Sequence, residues 1–403
     1  MPFALSLALA STNASGEVIF QDGFDFLAGA LEYLVVWEDD PDGNGFNDLR
    51  ARGDSASPVD QRINVDASGE QRSVKMAMAD NGDFVVTWAN DGDLNGFYDI
   101  FVRGFRADGT ERFSTRKVNV DSSGQQQDPD IAMAPNGDFV IVWADDLDNN
   151  GFFQIRGRGY FANGSQKFAD NQSLNDKGDG DQLNPVVGMA DDGSFVVAWE
   201  DDQDNDKIFD ISARRFSANG TPRFPQFYIR NDTAGLQEDP DIAVGPDGGF
   251  VVVWRDDRDM NFFGQILASG FDASGTTRFS NRTLNAVGTG NQYHPSVAIQ
   301  DDGGFVATWV DRGERIMGRA YGADGVGRFG DVLVNADVFK SHMRPDIAVA
   351  DGNRFLIVWQ ELNAQGNWRL RGRSILSGGT RQKSFFVDSG RGGDQQSPSV
   401  VIR

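Results

Sequence analysis

Five segments of the chain carry oxygen-bearing side chains at alternate positions. Each segment follows a tryptophan and places Asp or Asn at its positions 1, 3 and 5, with Asp or Gln at position 9. Gly45 and Gly96 occupy position 6 of the first two segments. The candidate ligands are Asp40, Asp42, Asn44 and Asp48; Asp91, Asp93, Asn95 and Asp99; Asp146, Asp148 and Asn150; Asp202, Asp204, Asp206 and Asp210; and Asp257, Asp259 and Asn261. Gln154 and Gln265 replace the acid at the ninth position of the third and fifth segments.

Ca²⁺ is the ion that this pattern suits. It binds oxygen ligands at about 2.3–2.6 Å, and EF-hand loops use the same alternation with a glycine at position 6. Without a cation, carboxylates a few ångströms apart repel by about 1–4 kcal/mol per pair at water-like to surface-like dielectric constants. We therefore predict Ca²⁺ in at least two of the loops. The alternative is that Asp and Asn only cap turns and keep the surface soluble.

Both histidines of the chain lie in two repeat units that lack such a loop. Tyr293 precedes His294, and Arg344 lies two residues after His342. These residue types could together neutralise a carboxylate and abstract a proton. The alternative is that two surface histidines fall there by chance.

The segments that replace the two missing loops are short. Residues 310–315 and 360–368 take their place, and we expect them to leave a notch in the rim. The candidate binding residues at this notch are Asp311, Arg312, Glu314 and Trp368.

Composition excludes several functions. Of the 403 residues, 37 are Lys or Arg and 60 are Asp or Glu, which gives a net charge of −23. This charge excludes nucleic acid and anionic membranes as the expected partners. The absence of cysteine excludes a disulfide framework, a thiolate nucleophile and Cys-containing zinc sites, and two histidines cannot form a three-His metal site in one chain. No run of about 18 apolar residues, the length that a membrane span needs, is present.

Seven tryptophans recur in one sequence context. Trp37, Trp88, Trp143, Trp199, Trp254, Trp309 and Trp359 follow short apolar runs at spacings of 51, 55, 56, 55, 55 and 50 residues. Each unit contains four runs of β-branched and aromatic residues separated by Asn-Gly or Asp-Gly turns, which is typical of strands in hairpins. Four strands in each of seven units predict an all-β, seven-bladed β-propeller of antiparallel sheets.

The ring must also close. Residues 395–402 resemble a first strand that lacks its own Trp strand, so we expect them to supply the innermost strand of the Trp37 blade. The alternative is that residues 21–27 form that strand. We predict one propeller domain over 25–403 and an N-terminal segment, 1–24, outside the repeat. Within that segment, residues 3–10 could be a secretory apolar region, or 13–16 could turn a strand hairpin.

The repeats resemble the seven-bladed propeller repeats of secreted bacterial proteins, and their Asp loops are similar to the calcium loops of FG-GAP propellers such as integrin α-subunits. The resemblance covers residues 25–403. It implies the architecture, and it leaves the function open because propellers serve as lectins, lyases, hydrolases and scaffolds.

Two further sets of side chains recur. Each unit begins with a Gln, or with His342 in one unit, three residues before Pro, or before Val74 in the second unit. We expect these side chains to bridge neighbouring blades; a ligand-binding ring is the alternative. Phenylalanines stand in or beside the Asp loops: Phe46, Phe97, Phe152, Phe262 and Phe263. We expect them to anchor the loops by packing, with stacking on sugar rings as the alternative.

The predicted function is an exported, calcium-stabilised, lectin-like binding module for a carbohydrate or protein ligand on the face that bears the Asp loops. The alternative is an enzyme on acidic polysaccharide, with Tyr293, His294, His342 and Arg344 as catalytic candidates, in the way that propeller polysaccharide lyases are thought to work. A structural assembly protein is the third possibility.

Overall fold

Seven four-stranded antiparallel sheets form the protein, which confirms the predicted β-propeller. The computed structural model describes residues 11–12, 18–19, 33–41, 43–53, 60–65, 68–121, 123–168, 171–176, 178–230, 235–286, 288–336, 339–350, 354–388, 390 and 392–403. We number the blades 1 to 7 by their tryptophans, from Trp37 to Trp359. First strands of neighbouring blades contact one another around the ring, so the first strand of each blade is the innermost.

Each blade has four strands, of which the first named below is the innermost and the last is the outermost. Blade 1 contains Asp394–Ile402, Tyr33–Asp40, Asp48–Gly53 and Gln61–Arg62; blade 2, Gln71–Met78, Phe84–Asn90, Asp99–Phe105 and Glu111–Lys117; blade 3, Gln125–Met133, Phe139–Asp146, Gln154–Tyr160 and Gln172–Ser173; blade 4, Gln182–Met189, Phe195–Asp201, Asp210–Phe216 and Phe227–Tyr228; blade 5, Leu236–Val244, Phe250–Asp257, Gln265–Phe271 and Thr277–Thr283; blade 6, Gln292–Ile299, Phe305–Asp311, Arg315–Tyr321 and Val332–Leu333; and blade 7, His342–Ala350, Arg354–Leu362, Trp368–Ile375 and Phe385–Phe386.

The C-terminal strand closes the ring, as predicted. Asp394–Ile402 pairs with Tyr33–Asp40, from Tyr33 opposite Ile402 to Asp40 opposite Asp394. The competing strand at residues 21–27 lies outside the described residues, as does the apolar segment 3–10. Ser11–Thr12 pairs antiparallel with Val18–Ile19, which is the pairing that the hairpin alternative predicts, and this pair belongs to none of the seven sheets.

The core consists of the interfaces between blades. All seven repeat tryptophans are 2% exposed or less, and the second strand of blade 3, Phe139–Asp146, is buried at every position. Burial on both faces follows from stacking each sheet between two others, and it explains why these strands are continuously apolar rather than alternating. No helix in the described part of the chain has the length and apolarity to cross a membrane.

Candidate functional site

A bulge in each inner strand displays one polar side chain at the centre of the ring. The sheet register shifts at this point in every blade, and the bulged residue has φ between 48° and 54°. We call these seven residues the bulge ring: Ser73, Asp128, Asn184, Asp239, His294, Arg344 and Ser397. A left-handed backbone is uncommon outside glycine, and bulges re-aim side chains. The same bulge in all seven blades is therefore a systematic feature of the fold and not a local irregularity.

Members of the bulge ring from adjacent blades contact one another. Ser73 Oγ lies 3.5 Å from Asp128 Oδ1, and His294 Nδ1 lies 3.6 Å from Asp239 Oδ2. Arg344 donates a hydrogen bond to Ser397 Oγ across the joint between blades 7 and 1. These contacts join six of the seven side chains in pairs at the mouth of the central channel; the seventh, Asn184, donates its amide to Glu200 of its own blade at 2.9 Å. The seven side chains also lie on the face that bears the Asp loops, because the segments that lead into the inner strands bond to those loops, as in Asp91 N–H to Glu70 O at 3.0 Å.

Side chains beneath the bulge ring hold its backbone. In blades 1, 4 and 7 the residue after the Trp accepts the N–H of the bulge-ring residue of the next blade: Glu38 from Ser73 at 2.7 Å, Glu200 from Asp239 at 2.8 Å and Gln360 from Ser397 at 3.0 Å. Burial raises the pKa of Glu38 to about 7 and that of Glu200 to about 8. Both acids can therefore carry a proton near neutral pH, directly behind the channel mouth.

The structure brings Tyr293, His294 and Arg344 to this mouth. The His294 side chain is 37% exposed and its ring meets Tyr293 edge to face at 5.1 Å between centroids. Burial lowers the pKa of His294; Asp239 opposes this shift, while Arg344 adds to it. The imidazole is therefore neutral at pH 7 and able to accept a proton.

His342 has a different environment. Its side chain is fully buried, with Asn335 Nδ2 and Glu361 Oε2 each 3.3 Å from one ring nitrogen. Because the Asn335 amide nitrogen donates to Nδ1, Nε2 carries the proton and donates to Glu361. His342 thus donates and accepts as the Gln of the other blades does, and it does not reach the channel mouth that displays His294.

The Gln residues at the start of the inner strands bridge blades, as predicted. Gln126 Oε1 accepts from Asn119 of blade 2 at 2.9 Å, and its amide donates to Asp145 of its own blade at 3.1 Å. The same link from the previous blade recurs between Asn175 and Gln182 and between Asn285 and Gln292. These Gln side chains are at most 1% exposed, so they hold the ring together and do not contact a ligand.

The Asp loops share one hydrogen-bonded conformation. In blades 1, 2, 3 and 5 the carboxylate at position 1 accepts N–H groups from positions 5 and 6, as Asp40 does from Asn44 and Gly45 at 3.1 Å each. In blade 4, among the described residues, Asp202 accepts only the N–H of position 6, Lys207, at 3.1 Å. The oxygen at position 5 accepts the N–H of position 7, as in Phe46 to Asn44 at 2.7 Å. In the loops of blades 2, 3 and 5 the Asn at position 5 also donates its amide to the Asp at position 3. Asp42 lies outside the described residues.

Position 9 does not join the loop in most blades. Asp48, Asp99, Gln154 and Gln265 accept hydrogen bonds from the outer-strand asparagines that also bond the inter-blade Gln. Their oxygens are therefore engaged in holding blades together. This arrangement accounts for Asp and Gln serving equally well at the ninth position.

Blade 4 gathers the most acids in its loop. Carboxylate oxygens of Asp202, Asp204 and Asp206 lie within 4.8 Å of one another. Asp202 is fully buried, and its Oδ2 accepts no hydrogen bond, although Lys207 Nζ lies 3.6 Å away. Burial and the charges of Asp201, Asp204 and Asp206 raise the pKa of Asp210 to about 7. A buried carboxylate oxygen that accepts no hydrogen bond, beside two other carboxylates, fits a hard cation such as Ca²⁺.

The loop aromatics are more exposed than the packing interpretation predicts. Phe262 is 82% exposed, Phe263 54%, Phe46 44% and Phe97 39%. Phe152 is half-buried, with Lys207 Nζ 5.4 Å from its ring centre. The anchoring prediction is wrong for Phe262, because its left-handed φ of 67° at position 6, the place of glycine in other loops, turns the ring outward.

The candidate residues of the predicted notch divide into two groups. Asp311 is buried and accepts from the inter-blade Gln292 at 3.0 Å, and Arg312 donates to the carbonyl and hydroxyl of Thr289. Glu314 is exposed and Trp368 half-buried. A cavity of about 120 Å³ adjoins this region in blade 7, lined by Ala336, Lys340, Trp359, Glu361, Arg371 and Ser384.

Deeper in the channel, a charged cluster occupies the position two residues after the bulge ring. Lys75 of blade 2 shares this level with Asp130, Asp241 and Asp346 of blades 3, 5 and 7. Burial acts to lower the pKa of Lys75, but the charges of the three carboxylates outweigh it and raise that pKa. Burial raises the pKa of Asp241 to about 7 even though Lys75 opposes the shift.

The sequence interpretation missed both the bulge ring and this cluster. A signal was present: the residue two positions after the repeated Gln or His342 is polar in every unit but is not one conserved type, and Pro follows it in six of the seven units. A residue before Pro is normally extended, so the pattern by itself did not indicate a left-handed bulge.

Comparison with known proteins supports the fold. No protein-family model and no curated protein matches the chain. Among solved structures, an ulvan lyase of polysaccharide lyase family PL25, bound to –[GlcA(1-4)Rha3S]–, is 9% identical, with a TM-score of 0.53 over 89% of each chain. The α-L-arabinofuranosidase of Fusarium graminearum, in complex with an iminosugar inhibitor, is 10% identical, with a TM-score of 0.50 over 76% of this chain and 93% of that one. A protein of unknown function from Dyadobacter fermentans is 12% identical, with a TM-score of 0.50 over 75% and 93%. Identities this low show a shared fold and nothing more about function.

Proposed function

We propose that the protein is a carbohydrate-binding module whose ligand lies across the channel mouth. The observation that carries the proposal is the bulge ring: one backbone geometry, repeated seven times, displays Ser, Asp, Asn, His and Arg in an irregular order. Elements that only support the fold repeat their residues, as the buried tryptophans do. Variation at a fixed geometry is what a surface needs to bind an asymmetric ligand.

The surroundings of the bulge ring suit a saccharide. Sugars present hydroxyl groups that pair with carboxylate, amide and guanidinium groups, and apolar faces that stack on aromatic rings. Phe46, Phe97, Phe262 and Phe263 are exposed on the loops of the same face. Two of the similar structures are named as enzymes that act on carbohydrates, which agrees with this choice of ligand class.

A lyase is the second candidate, and one observation favours it. His294 contacts the Tyr293 ring and lies close enough to Arg344 for its charge to act on it, and the lowered pKa of His294 leaves a neutral base at the mouth. Arg344 could neutralise the carboxylate of a bound uronic acid, which would acidify the neighbouring C5–H for removal by His294. The electron pair would form the C4=C5 double bond as the C4–O glycosidic bond breaks, and the leaving oxygen would take up a proton from solvent or from the protonated His294. His342 has no part in this candidate mechanism because it is buried.

Binding and catalysis can be separated with variants that preserve the bulge. Asn tolerates a left-handed backbone, so Arg344→Asn and His294→Asn remove the side-chain chemistry alone. On a glycan array we expect Arg344→Asn to weaken saccharide binding at least about 10-fold, the effect of losing about 1.4 kcal/mol. A turnover assay on uronic-acid polymers, followed by the absorbance of the unsaturated product, tests the lyase.

The matched control is His342→Gln, which restores the residue of the other six blades and should leave binding unchanged. Binding without turnover establishes the module. Turnover that is lost in His294→Asn while binding persists establishes the lyase. An array on which the wild-type protein retains no saccharide contradicts both candidates.

We also propose that Ca²⁺ stabilises the Asp loops, with blade 4 as the leading site. Asp202, Asp204 and Asp206 would hold the ion, and it would supply the positive charge that offsets their mutual repulsion. Lys207 now provides part of that charge from position 6, so it competes with a cation. Loops of moderate affinity would fill at the millimolar calcium found outside cells, and we place the protein there or at the cell surface.

Calcium should raise the unfolding free energy by about 2.7 kcal/mol for each site held at a hundred times its dissociation constant. The measurement is denaturant unfolding in calcium and in chelator, with magnesium at equal ionic strength as the control. Asp204→Asn should reduce the calcium effect, and Lys207→Gly should increase it by removing the competing ammonium. Unfolding curves that coincide in calcium and in chelator would contradict the proposal that the loops bind Ca²⁺.

A further inference from the structure

The cavity in blade 7 lies where other blades place a hydrogen-bond acceptor. In blades 3, 4 and 6 the residue before the outer strand sends a side-chain oxygen to a backbone N–H of the preceding blade. Asn171 accepts from Val120 at 3.3 Å, Gln226 from Asp176 at 3.1 Å and Asp331 from Ala286 at 3.1 Å. The corresponding residue of blade 7 is Ser384, which precedes Phe385–Phe386.

Ser384 is too short to make this bond. The backbone N–H that corresponds to those of Val120, Asp176 and Ala286 belongs to Ala336, which donates to no other residue in the described part of the chain. Ala336 and Ser384 both line the cavity of about 120 Å³. The cavity is therefore the space that an acceptor side chain fills in the other blades.

Donors surround this space. Trp359 Nε1 and Arg371 Nε are buried and have no hydrogen-bond partner. The tryptophan N–H is also unpartnered in blades 1 to 4, and Arg50 and Arg156 hold the position of Arg371 in blades 1 and 3. The distinguishing features of blade 7 are therefore the open volume and a second cation, Lys340, beside that arginine. The Arg371 guanidinium is held over the Phe386 ring at 3.7 Å, which fixes its orientation.

The one acid in the cavity is already engaged. Glu361 accepts from Lys340 at 2.9 Å, from Arg371 at 3.4 Å and from the buried His342 at 3.3 Å. Burial acts to raise the pKa of Glu361, but the hydrogen bonds from His342 and Lys340 and the charge of Arg371 outweigh it and lower that pKa to about 2. One carboxylate against two permanent cations leaves the cavity with a net charge of about +1, in a chain whose net charge is −23.

We propose that this cavity is a binding site for a small oxyanion, such as sulfate, phosphate or the carboxylate of an acidic sugar. The anion would supply the acceptor oxygen that Ser384 lacks, to the N–H groups of Ala336, Trp359 and Arg371. The two cations would supply charge-assisted hydrogen bonds, which are about twice as strong as neutral ones. The site is independent of the channel mouth and of the saccharide proposed there.

The test uses inorganic sulfate on the full chain, by calorimetric titration and by thermal melting at constant ionic strength set with chloride. Constant ionic strength matters because any salt screens the repulsion within an acidic protein. We expect one sulfate per chain and stabilisation beyond that of chloride. Ser384→Asp, which copies Asp331 of blade 6, should abolish sulfate binding while the protein stays folded. Lys340→Ala should weaken binding at least 10-fold.

Gln226→Ser is the matched control. It opens the equivalent space in blade 4, where Ser212 stands in the place of Arg371, so it should create no sulfate site. Methyl glucuronide in competition with sulfate identifies the source of the anion: displacement indicates an acidic sugar, and its failure indicates a free inorganic anion. Stabilisation no greater than that of chloride, or sulfate binding unchanged in Ser384→Asp, would overturn the proposal.

Discussion

Removal of residues 394–403 should leave a chain that no longer unfolds cooperatively. This segment supplies the entire inner strand of blade 1, and without it Tyr33–Asp40 becomes an open sheet edge. Val400, Val401 and Ile402 pack into the neighbouring blade interfaces. A fully buried side chain of this size contributes about 1.5–3 kcal/mol; Val400 is buried to that extent, and the half-buried Val401 and Ile402 contribute less. Together with the backbone pairing to Tyr33–Asp40, their loss is a large fraction of the net stability of a typical domain, about 5–15 kcal/mol. Circular dichroism during heating, with size-exclusion chromatography, measures the effect.

Two controls make the interpretation specific. Removal of Arg403 alone should have little effect because it lies beyond the strand. A synthetic peptide of residues 394–403 added to the shortened chain should restore the cooperative transition, since an exposed edge can accept a strand in trans. Cooperative melting of the shortened chain at the temperature of the intact protein would show that the closure contributes little, contrary to our expectation.

The repeat made the fold predictable. Seven tryptophans in register fixed the number of blades, and a C-terminal first strand without its partner predicted the closure that Gln395 secures through its bond to Asp39 at 3.1 Å. These inferences depended on patterns that recur along the chain. The same logic identified the inter-blade role of the glutamines, because a residue repeated in every blade serves what every blade needs.

The site was less predictable because it depends on contacts between blades. The left-handed conformation of Ser73 is held by Glu38, 35 residues earlier, and that of Asp239 by Glu200, 39 residues earlier. No local pattern indicates such a bond. His342 shows the opposite case: its rarity suggested catalysis, whereas the side chain is buried and its two ring nitrogens reproduce the donor and acceptor of the glutamine it replaces.

In this chain, positions whose residue differs between blades indicate candidate sites better than positions whose residue repeats. Ser384 is inconspicuous by itself, and it becomes meaningful only beside Asn171, Gln226 and Asp331 in the corresponding position. The bulge ring is recognised in the same way. In both places the fold supplies a fixed backbone, and the departures from the repeat are confined to side chains that face open space.

Lys75→Met should destabilise the protein, and more strongly at pH 8 than at pH 5. The variant leaves Asp130, Asp241 and Asp346 around the channel without their shared cation. Removing one partner from a buried charge group costs about 3–5 kcal/mol, and we expect about 2–4 kcal/mol here because the channel side chains are only half-buried. Urea unfolding at a series of pH values measures the loss.

The pH dependence follows from the shifted carboxylates. The pKa of Asp241 is raised to about 7, and those of Asp130 and Asp346 are also raised, in each case chiefly by burial. When folding raises the pKa of an acid, the folded state becomes less stable as pH rises through the interval between the unfolded and folded pKa values, because the folded state must release a proton that it holds. Lys75 offsets this cost, and its removal raises these pKa values further. The deficit of the variant should therefore grow between pH 5 and pH 8.

Two control variants separate the effect of losing the charge of Lys75 from the effect of changing the side chain's size and shape. Lys75→Arg keeps the cation and should follow the wild-type pH profile. Val186→Met places the same new side chain at the equivalent level of blade 4 without changing the charge. Each of the three carboxylates also accepts the N–H of an inner strand in the next blade, such as Val187 to Asp130 at 2.7 Å. Protonation of these acids at low pH preserves that acceptor, so the ring stays joined while the repulsion disappears. A deficit of equal size at both pH values would mean that Lys75 acts through packing rather than through its charge.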